Sequence, residues 1–502
     1  MGVSTIYVYN SLYHYKNINN LHSGMYTTDH TLYKNVFQLL HFCNTNLVHT
    51  LSRKLFDMEI EIVSKECIKP SSPTPSHLKT FKLSALDYVV LTPFVPVTLY
   101  YPNSDGETVT EAIERSITLK ESLSRTLTQF YTLAGTILDD FTIDCNDNGA
   151  QYIVAKVNRR LDEFLNNLDL PSVNRFLPCE PSCSGSTAGS PVTNVQINIF
   201  ECGSIAIGLC ISHKVIDGAA LTVFLKGWTN MACGSTEMMY PNFTAPSLFP
   251  QKVLSLKATS MGLSMPLLKQ GKCTTRRFVF ESDSVAKLKA EAIENGLQRA
   301  SRLEVVSAFI WKCAMAASKE VCGFQKASGL SQIVNLRTKL NQPMSQNFIG
   351  NLVWLVLATS EANHEPTMHG LATRVRESTS KVNSEFVEKS QGDEGHLVMQ
   401  KSLEDLVEIL SKETMDVYGF TSLCKLGYYE FDFGWGKPIW MTGIVAEGSP
   451  VFMNMVNMLD MKSGEGVETW VHLDEPEMEI LMKNQELLAY ASLDPSPLKN
   501  GN

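Results

Sequence analysis

The chain has 502 residues, a hydrophobic content of 44% and a formal net charge of −9 at pH 7. This length suits two or three domains with large buried cores, and the absence of a basic block argues against nucleic acid or an anionic membrane as a partner. The 12 cysteines are scattered, without a CxxC pair or zinc-like spacing, so we expect a cytoplasmic protein with reduced thiols and no metal.

The first segment, residues 1–57, differs in composition from the rest of the chain. It holds five of the 11 histidines and six of the 16 tyrosines. It has neither an apolar run long enough to cross a membrane nor the pattern of a secretory signal. We interpret it as an atypical, disordered extension and Met58 as the natural start of the folded enzyme.

The next part of the chain alternates between helix and strand patterns. Apolar residues at helical spacing predict a helix over 111–129, followed by strands between 137 and 157. Residues 198–212 read as two strands around a turn at 202–204. Mixed elements of this kind predict α/β layers.

A histidine and an aspartate four residues apart, His213 and Asp217, lie where a strand pattern gives way to a helix pattern. Large residues alternate with small ones along that strand; the large ones are Ile205, Ile207, Leu209 and Ile211, and the small ones are Ala206, Gly208, Cys210 and Ser212. His213 continues the large series and is predicted to point inward. Asp217 is predicted to cap the following helix. Such a histidine suits a general base, although a buried histidine often only satisfies hydrogen bonds.

Helical patterns return after a stretch in which periodicity fades, at about 240 to 275. They predict helices over 284–295 and around 403–410. We interpret 241–275 as a crossover linker. A basic group near its end, formed by Lys272, Arg276 and Arg277, is a candidate contact for an anionic ligand, although a solvated charged surface is the simpler interpretation.

A second motif reads Asp432-Phe433-Gly434-Trp435-Gly436 and is followed by Lys437-Pro438. Two glycines around a tryptophan allow backbone conformations that other residues resist, and the proline fixes the exit. By itself this pattern indicates a tight loop with an aromatic anchor.

Together and in this order, the two motifs resemble those of the plant BAHD acyltransferases, which move acyl groups from coenzyme A thioesters to alcohols or amines. The resemblance runs from about Met58 to near the C-terminus. Further matches include Leu83 to Asp87, Tyr131 to Thr136, Val305 to Lys312, Asn335 to Arg337, and Gly350-Asn351. Four residues depart from the family pattern without touching the chemistry: Tyr88, Thr132, Thr136 and Leu423. The opening Ile68-Lys69-Pro70-Ser71-Ser72-Pro73-Thr74-Pro75, together with Phe200-Glu201-Cys202-Gly203 and the full second motif, is most similar to the branch containing vinorine synthase and salutaridinol acetyltransferase.

The resemblance implies an α/β fold of two similar-sized mixed-sheet domains, like chloramphenicol acetyltransferase, with an active-site channel between them. The domains would span 58–240 and 276–502. It also implies that His213 is the catalytic base and that Asp217 turns away from the substrate to pair with Arg337. The second-motif residues would maintain the channel and the CoA side; they are Asp432, Gly434, Trp435 and Gly436.

The resemblance further implies a monomeric enzyme without a metal or a permanently bound cofactor. Its co-substrate would be an acyl-CoA, on this branch acetyl-CoA, and its acceptor a hydroxyl group of an alkaloid or terpenoid. Acyl transfer would occur in a ternary complex without an acyl-enzyme. Another acyl donor, an amine acceptor and a catalytically silent binding protein remain alternatives. A serine hydrolase is disfavoured because no G-x-S-x-G follows a strand.

Overall fold

Two mixed β-sheets organise the chain in this computed structural model. It describes residues 58–498, apart from 89, 91–92, 104–107, 181–186, 236–238, 252–258, 260–262, 264–265, 342–344, 363–364, 413–414, 444 and 447–450. The segment 1–57, predicted to be a disordered extension, therefore lies outside the described residues. The predicted α/β class with two mixed sheets is confirmed.

The strands are β1 (Ile60–Ile68), β2 (Thr80–Lys82), β3 (Phe94–Tyr101), β4 (Thr136–Ile137), β5 (Thr142–Asp144), β6 (Ala150–Val157), β7 (Thr193–Phe200), β8 (Ile205–Ser212), β9 (Lys269–Gln270), β10 (Cys273–Phe280), β11 (Ala327–Asn335), β12 (Val353–Ser360), β13 (Met415–Ser422), β14 (Trp440–Thr442), β15 (Val451–Phe452), β16 (Met455–Met461), β17 (Gly464–Asp474) and β18 (Ser492–Leu493).

The α-helices are α1 (Val109–Gln129), α2 (Leu161–Asn166), α3 (Gly218–Ala232), α4 (Ala245–Leu248), α5 (Ser282–Glu294), α6 (Arg302–Cys322), α7 (Met368–Ser380), α8 (Ser384–Lys389), α9 (Gly395–Lys412), α10 (Glu475–Leu481) and α11 (Gln485–Tyr490). The helices predicted over 111–129, 284–295 and 403–410 correspond to α1, α5 and α9. Among the described residues, no helix has both the length and the apolar character needed to cross a membrane.

The first sheet has the strand order β1-β6-β7-β8-β3-β14, and only the pair β6–β7 is parallel. Every residue of β7 and β8 is buried. The chain at Phe176 passes directly over the face of β8 that carries small residues. A Cβ atom at Gly208 would lie 2.0 Å from the Phe176 carbonyl oxygen. Only glycine allows this approach, which explains the run of small residues seen in the sequence.

The second sheet has the order β12-β11-β13-β16-β17-β10-β18. Its strands β11, β13 and β16 are parallel neighbours, and the remaining pairs are antiparallel. Helices α5, α6, α7 and α10 cover one face and bury a large apolar core there. Long apolar helices are stable only with such a partner surface, and α6 begins with a capping box formed by Ser301 and Glu304.

One strand of the C-terminal half belongs to the first sheet. Trp440 of β14 pairs with Tyr100 of β3, and Thr442 pairs with Thr98. The hydroxyl of Tyr101 also donates a hydrogen bond to the carbonyl of Phe431 at 2.9 Å. The interval 276–502, which the sequence assigned to one domain, therefore contributes to both sheets.

A buried ion pair lies where β14 meets the second sheet. Arg277 Nη1 is 2.8 Å from Glu468 Oε2, and both side chains are almost completely buried. The indole N–H groups of Trp470 and Trp440 donate to Glu468 at 2.9 and 3.3 Å. The Arg277 guanidinium carbon lies 5.3 Å from the centre of the Trp440 ring. Arg277 is thus part of the interior, and its predicted membership of a surface basic group is wrong.

We expect Arg277→Met to destabilise the protein by about 3–5 kcal/mol, because it leaves the Glu468 carboxylate buried without its cation. Arg277→Met combined with Glu468→Met should cost less than the sum of the two single substitutions, since the double variant buries no charge. Urea unfolding of the four proteins measures both quantities. Additive losses would show that the two charges do not interact.

Candidate active site

The segment between β8 and α3 carries His213 and Asp217 and is held at both ends. The backbone N–H of His213 donates to the carbonyl of Pro93 at 2.9 Å, which continues the pairing of β8 with β3. Asp217 is the N-cap of α3, and its Oδ1 accepts from the N–H of Ala220 at 2.7 Å. The predicted strand, turn and capped helix are therefore confirmed. His213 lies deep in the protein and keeps a partly accessible side chain.

Asn351 fixes the tautomer of His213. The Asn351 side-chain Nδ2 donates to the His213 carbonyl at 2.6 Å and to Asp87 Oδ1 at 2.8 Å. With both N–H directions used, Asn351 Oδ1 is left as an acceptor, and it lies 2.9 Å from His213 Nδ1. The proton of a neutral His213 therefore resides on Nδ1, and Nε2 keeps its lone pair.

Asp87 holds the Asn351 side chain in this orientation. Its Oδ1 also accepts from the Asn351 backbone N–H at 2.8 Å, and its Oδ2 accepts from the N–H and the hydroxyl of Ser84, both at 2.7 Å. Burial raises the pKa of the Asp87 carboxyl, and the hydrogen bonds from Ser84 and Asn351 oppose that rise. In the sequence, Asp87 and Asn351 stood out only as points of resemblance to the family. Their contact joins residues 264 positions apart, so no local pattern could predict it.

The surroundings of His213 favour a neutral imidazole. Burial lowers its pKa below the ordinary histidine value, and the negative charge of Asp217 and the hydrogen bond with Asn351 offset only part of this effect. Desolvation acts against the charged form of any buried base. His213 is therefore neutral at physiological pH.

Both carboxylate oxygens of Asp217 accept hydrogen bonds from groups other than the His213 ring. Its Oδ2 accepts from Arg337 Nη1 at 2.7 Å and from the N–H of Leu352 at 3.1 Å. Arg337 is completely buried and also donates through Nη2 to the carbonyls of Phe348 and Gly350, at 3.0 and 3.1 Å. The pair thus joins the start of α3 to the segment that carries Asn351.

The second motif folds into a tight loop around its own aspartate. Asp432 Oδ1 accepts from the N–H groups of Gly434 and Gly436 at 2.7 and 2.9 Å. Both glycines have positive φ angles, of 107° and 111°. Because other residues rarely adopt this region, the two glycines allow the turn and Asp432 fixes it.

Trp435 packs onto the first sheet. Its ring stacks on Phe433 with centroids 5.8 Å apart, and the guanidinium of Arg115 on α1 lies 5.3 Å from its centroid. The Cys233 thiol, at the C-terminal end of α3, contacts the carbonyl of Asp432. Helix α3 is about 22 Å long at 1.5 Å per residue, and Asp217 stands at its other end. The structure therefore brings His213, Asp217 and Arg337 together and leaves the second motif about one helix length away.

The comparisons with known proteins agree with this architecture. The model of the family described as "Transferase family" matches residues 58–488. Epi-neemfruitin B 7-O-acetyltransferase of Melia azedarach is 37% identical over 453 residues, which cover 88% of this chain and 100% of that protein. Stemmadenine O-acetyltransferase of Catharanthus roseus is 34% identical over 429 residues, which cover 84% of this chain and 96% of that protein.

Among solved structures, that of vinorine synthase, an enzyme of Rauvolfia serpentina, is similar over most of its length. The TM-score is 0.72 at 32% sequence identity, and the match covers 86% of this chain and 99% of that chain. The chain therefore belongs to the Transferase family, the BAHD acyltransferases, and is an acyl-CoA-dependent acyltransferase.

Proposed function

We propose that the protein transfers an acetyl group from acetyl-CoA to a hydroxyl group of a bulky specialised metabolite, an alkaloid or a terpenoid. The similar proteins named above support the acetyl donor and the oxygen acceptor. The observation that carries the proposal is the His213 imidazole, whose Nδ1 is occupied by Asn351 and whose Nε2 keeps its lone pair. This is the state that a general base requires.

In the proposed reaction, His213 Nε2 takes the proton of the acceptor hydroxyl while its oxygen forms a bond to the thioester carbonyl carbon. The resulting tetrahedral oxyanion collapses, the C–S bond breaks, and CoA leaves as a thiolate. The imidazolium then returns its proton to the thiolate sulfur, which regenerates neutral His213. No acyl-enzyme forms, because the acceptor oxygen attacks the acyl group directly.

We assign the remaining motif residues to the framework of the site. Asp217 and Arg337 hold the turn that carries His213, since both carboxylate oxygens of Asp217 and both terminal nitrogens of Arg337 bind within the protein. The loop formed by residues 432–436 maintains the fold on the CoA side, as its contacts with α1 and α3 suggest. We also propose that the enzyme acts as a cytoplasmic monomer.

We expect His213→Ala to reduce kcat/KM by about 10²- to 10⁴-fold, the usual contribution of a general base. The test incubates residues 58–502 with acetyl-CoA and with stemmadenine, epi-neemfruitin B or a pooled plant extract, and identifies products by mass spectrometry. His77→Ala, a change at an exposed histidine, is the matched control and should leave turnover unchanged.

Near-normal turnover by a folded His213→Ala protein would contradict the proposed mechanism. If the wild-type protein forms no acetylated product, the same screen with malonyl-CoA, benzoyl-CoA and amine acceptors tests the alternative donors and acceptors. Loss of acetyl-CoA without any acylated acceptor would show hydrolysis instead of transfer. If no acylated product forms with any of these donors, the result would favour a binding protein without catalytic activity.

The acid limb of the kcat/KM profile should have its midpoint below pH 6.5. The base works only when neutral, and burial lowers the pKa of His213, so activity should persist to a lower pH than an exposed histidine allows. Initial rates across buffers of constant ionic strength measure the limb, with the fold checked by circular dichroism at each pH. A midpoint at or above 6.5 would contradict the assignment.

We expect Asp217→Asn to destabilise the protein by about 3 kcal/mol and to lower kcat less than His213→Ala does. The change keeps the shape of the side chain and leaves the Arg337 charge buried without its partner. Asp162→Asn, at an exposed ion pair, is the matched control and should leave the urea midpoint unchanged. A stably folded Asp217→Asn protein as inactive as His213→Ala would give Asp217 a direct part in the chemistry.

A further inference from the structure

One face of the second sheet carries accessible side chains at the centre of the protein. This inner face, the face opposite helices α5, α6, α7 and α10, includes Gly419 and Thr421 on β13 and Met455 and Asn457 on β16, which are partly exposed. Their neighbours on the helix side are fully buried, namely Tyr418, Phe420, Val456 and Met458. Since interior strand positions become accessible only where a space opens over them, the inner face borders such a space.

The inner face is turned toward the first sheet and the His213 segment. Trp470, which pairs with Asn457, lies with its ring 6.0 Å from that of Trp440 on β14. Leu423, two residues beyond Thr421, is so close to Gly218 that a Cβ atom there would lie 2.5 Å from a Leu423 methyl carbon. Gly218 directly follows Asp217. The accessible residues of the inner face therefore lie between the two sheets and close to the proposed base, His213.

A buried chain of hydrogen bonds runs from Thr275 through His472 to Asn457. Which group donates in each bond follows from the bond between Thr275 and a backbone carbonyl. The Thr275 hydroxyl lies 2.7 Å from the carbonyl of Ala446, which can only accept, so Thr275 donates there. The hydroxyl oxygen then accepts from His472 Nδ1–H at 2.7 Å. Burial lowers the pKa of His472 to about 4, so the ring is neutral. Its Nε2 consequently accepts from Asn457 Nδ2 at 2.9 Å.

The chain therefore fixes which way the Asn457 amide points. One N–H is used by His472, so the carbonyl oxygen and the second N–H are directed away from His472, and the side chain is partly accessible. A surface asparagine needs no such support, because water satisfies either orientation. An amide held in one orientation beside an open space is typical of a recognition group.

The side chains around Asn457 indicate what kind of molecule meets it. Ile333 and Leu355, paired on β11 and β12, continue the inner face with accessible aliphatic surface, and Ile333 is 38% exposed. None of the accessible inner-face residues named here is charged. Arg277, the nearby cation on the same face, is fully buried and paired with Glu468. These described side chains thus suit a neutral, mostly aliphatic skeleton, and none of them offers a cation to the phosphates of coenzyme A.

We propose that Asn457 is a specificity-determining residue that hydrogen-bonds an oxygen function of the acceptor, a polycyclic alcohol. His472 is a positioning residue that orients the Asn457 amide. This inference rests on the proposed acetyl transfer and adds the acceptor side of the site. It explains why a neutral histidine is buried at this point of the sheet.

The test is steady-state kinetics with acetyl-CoA and whichever of stemmadenine, epi-neemfruitin B or extract-derived alcohol the wild-type protein acetylates. Asn457→Leu keeps the size of the side chain and removes its polar atoms, so the acceptor KM should rise about 5- to 10-fold, the loss of one neutral hydrogen bond. The acetyl-CoA KM should stay within about two-fold, since the phosphates of CoA have no partner here. Asn295→Leu, at the exposed end of α5, is the matched control and should change neither value.

The role of His472 is tested by two replacements that differ in the position of their acceptor atom. His472→Gln places an oxygen near the position of Nε2 and should keep the acceptor KM near the wild-type value. His472→Asn reaches only the position of Nδ1 and should raise the acceptor KM. In the Asn457→Leu background, His472→Asn should add nothing further, because the amide that it orients is gone.

The outcomes separate this inference from the proposed function. A wild-type protein that acetylates no acceptor would overturn both. An active wild-type protein with an unchanged acceptor KM in Asn457→Leu, or with a raised acetyl-CoA KM instead, would overturn the inference alone. Equal effects of His472→Gln and His472→Asn would overturn the positioning role.

Discussion

The buried ion pair between Asp217 and Arg337 is the constraint on which the rest of the site depends. Its carboxylate caps α3, accepts from the backbone of Leu352 and neutralises Arg337, which itself binds two carbonyls of the segment before Asn351. A buried charge is tolerated only when its partners are in place. The pair therefore forces the HxxxD turn and the Asn351 segment into one arrangement.

The environment of His213 differs from that of the histidine in a serine protease triad. There a carboxylate accepts the hydrogen bond from Nδ1–H, whereas here an amide oxygen of Asn351 accepts it and the carboxylate of Asp87 binds that amide in turn. An amide stabilises an imidazolium less than a carboxylate does, because it carries no net charge. The low pKa of His213 that results from burial is consistent with this arrangement. A thioester is an activated acyl donor, so a weaker base suits the proposed reaction.

Neutral buried histidines recur in the two halves of the chain. The tautomer of His213 is fixed by Asn351 and that of His472 by Thr275, and burial lowers the pKa of both histidines. In the proposed mechanism, His213 presents its Nε2 lone pair to the acceptor hydroxyl, whereas the Nε2 lone pair of His472 accepts a hydrogen bond from the Asn457 amide. The second motif has a different part: its loop precedes the point where β14 joins the first sheet and lies about one helix length from Asp217.

Local rules in the sequence determined several of the elements and part of the site. Alternation along β8, the cap at Asp217 and the helical spacing in α1, α5 and α9 depend on neighbours in the chain, so they were readable directly. The two motifs, by resemblance, identified the family and singled out His213, Asp217 and Arg337. The tertiary structure alone decided that Asn351 and Asp87 set the tautomer of His213, that Arg277 is buried, that Trp435 packs about a helix length from the base, and that β14 crosses to the first sheet. Each of these features joins residues from distant parts of the chain, and such contacts are set by how the two sheets pack and leave no periodic signal in the sequence.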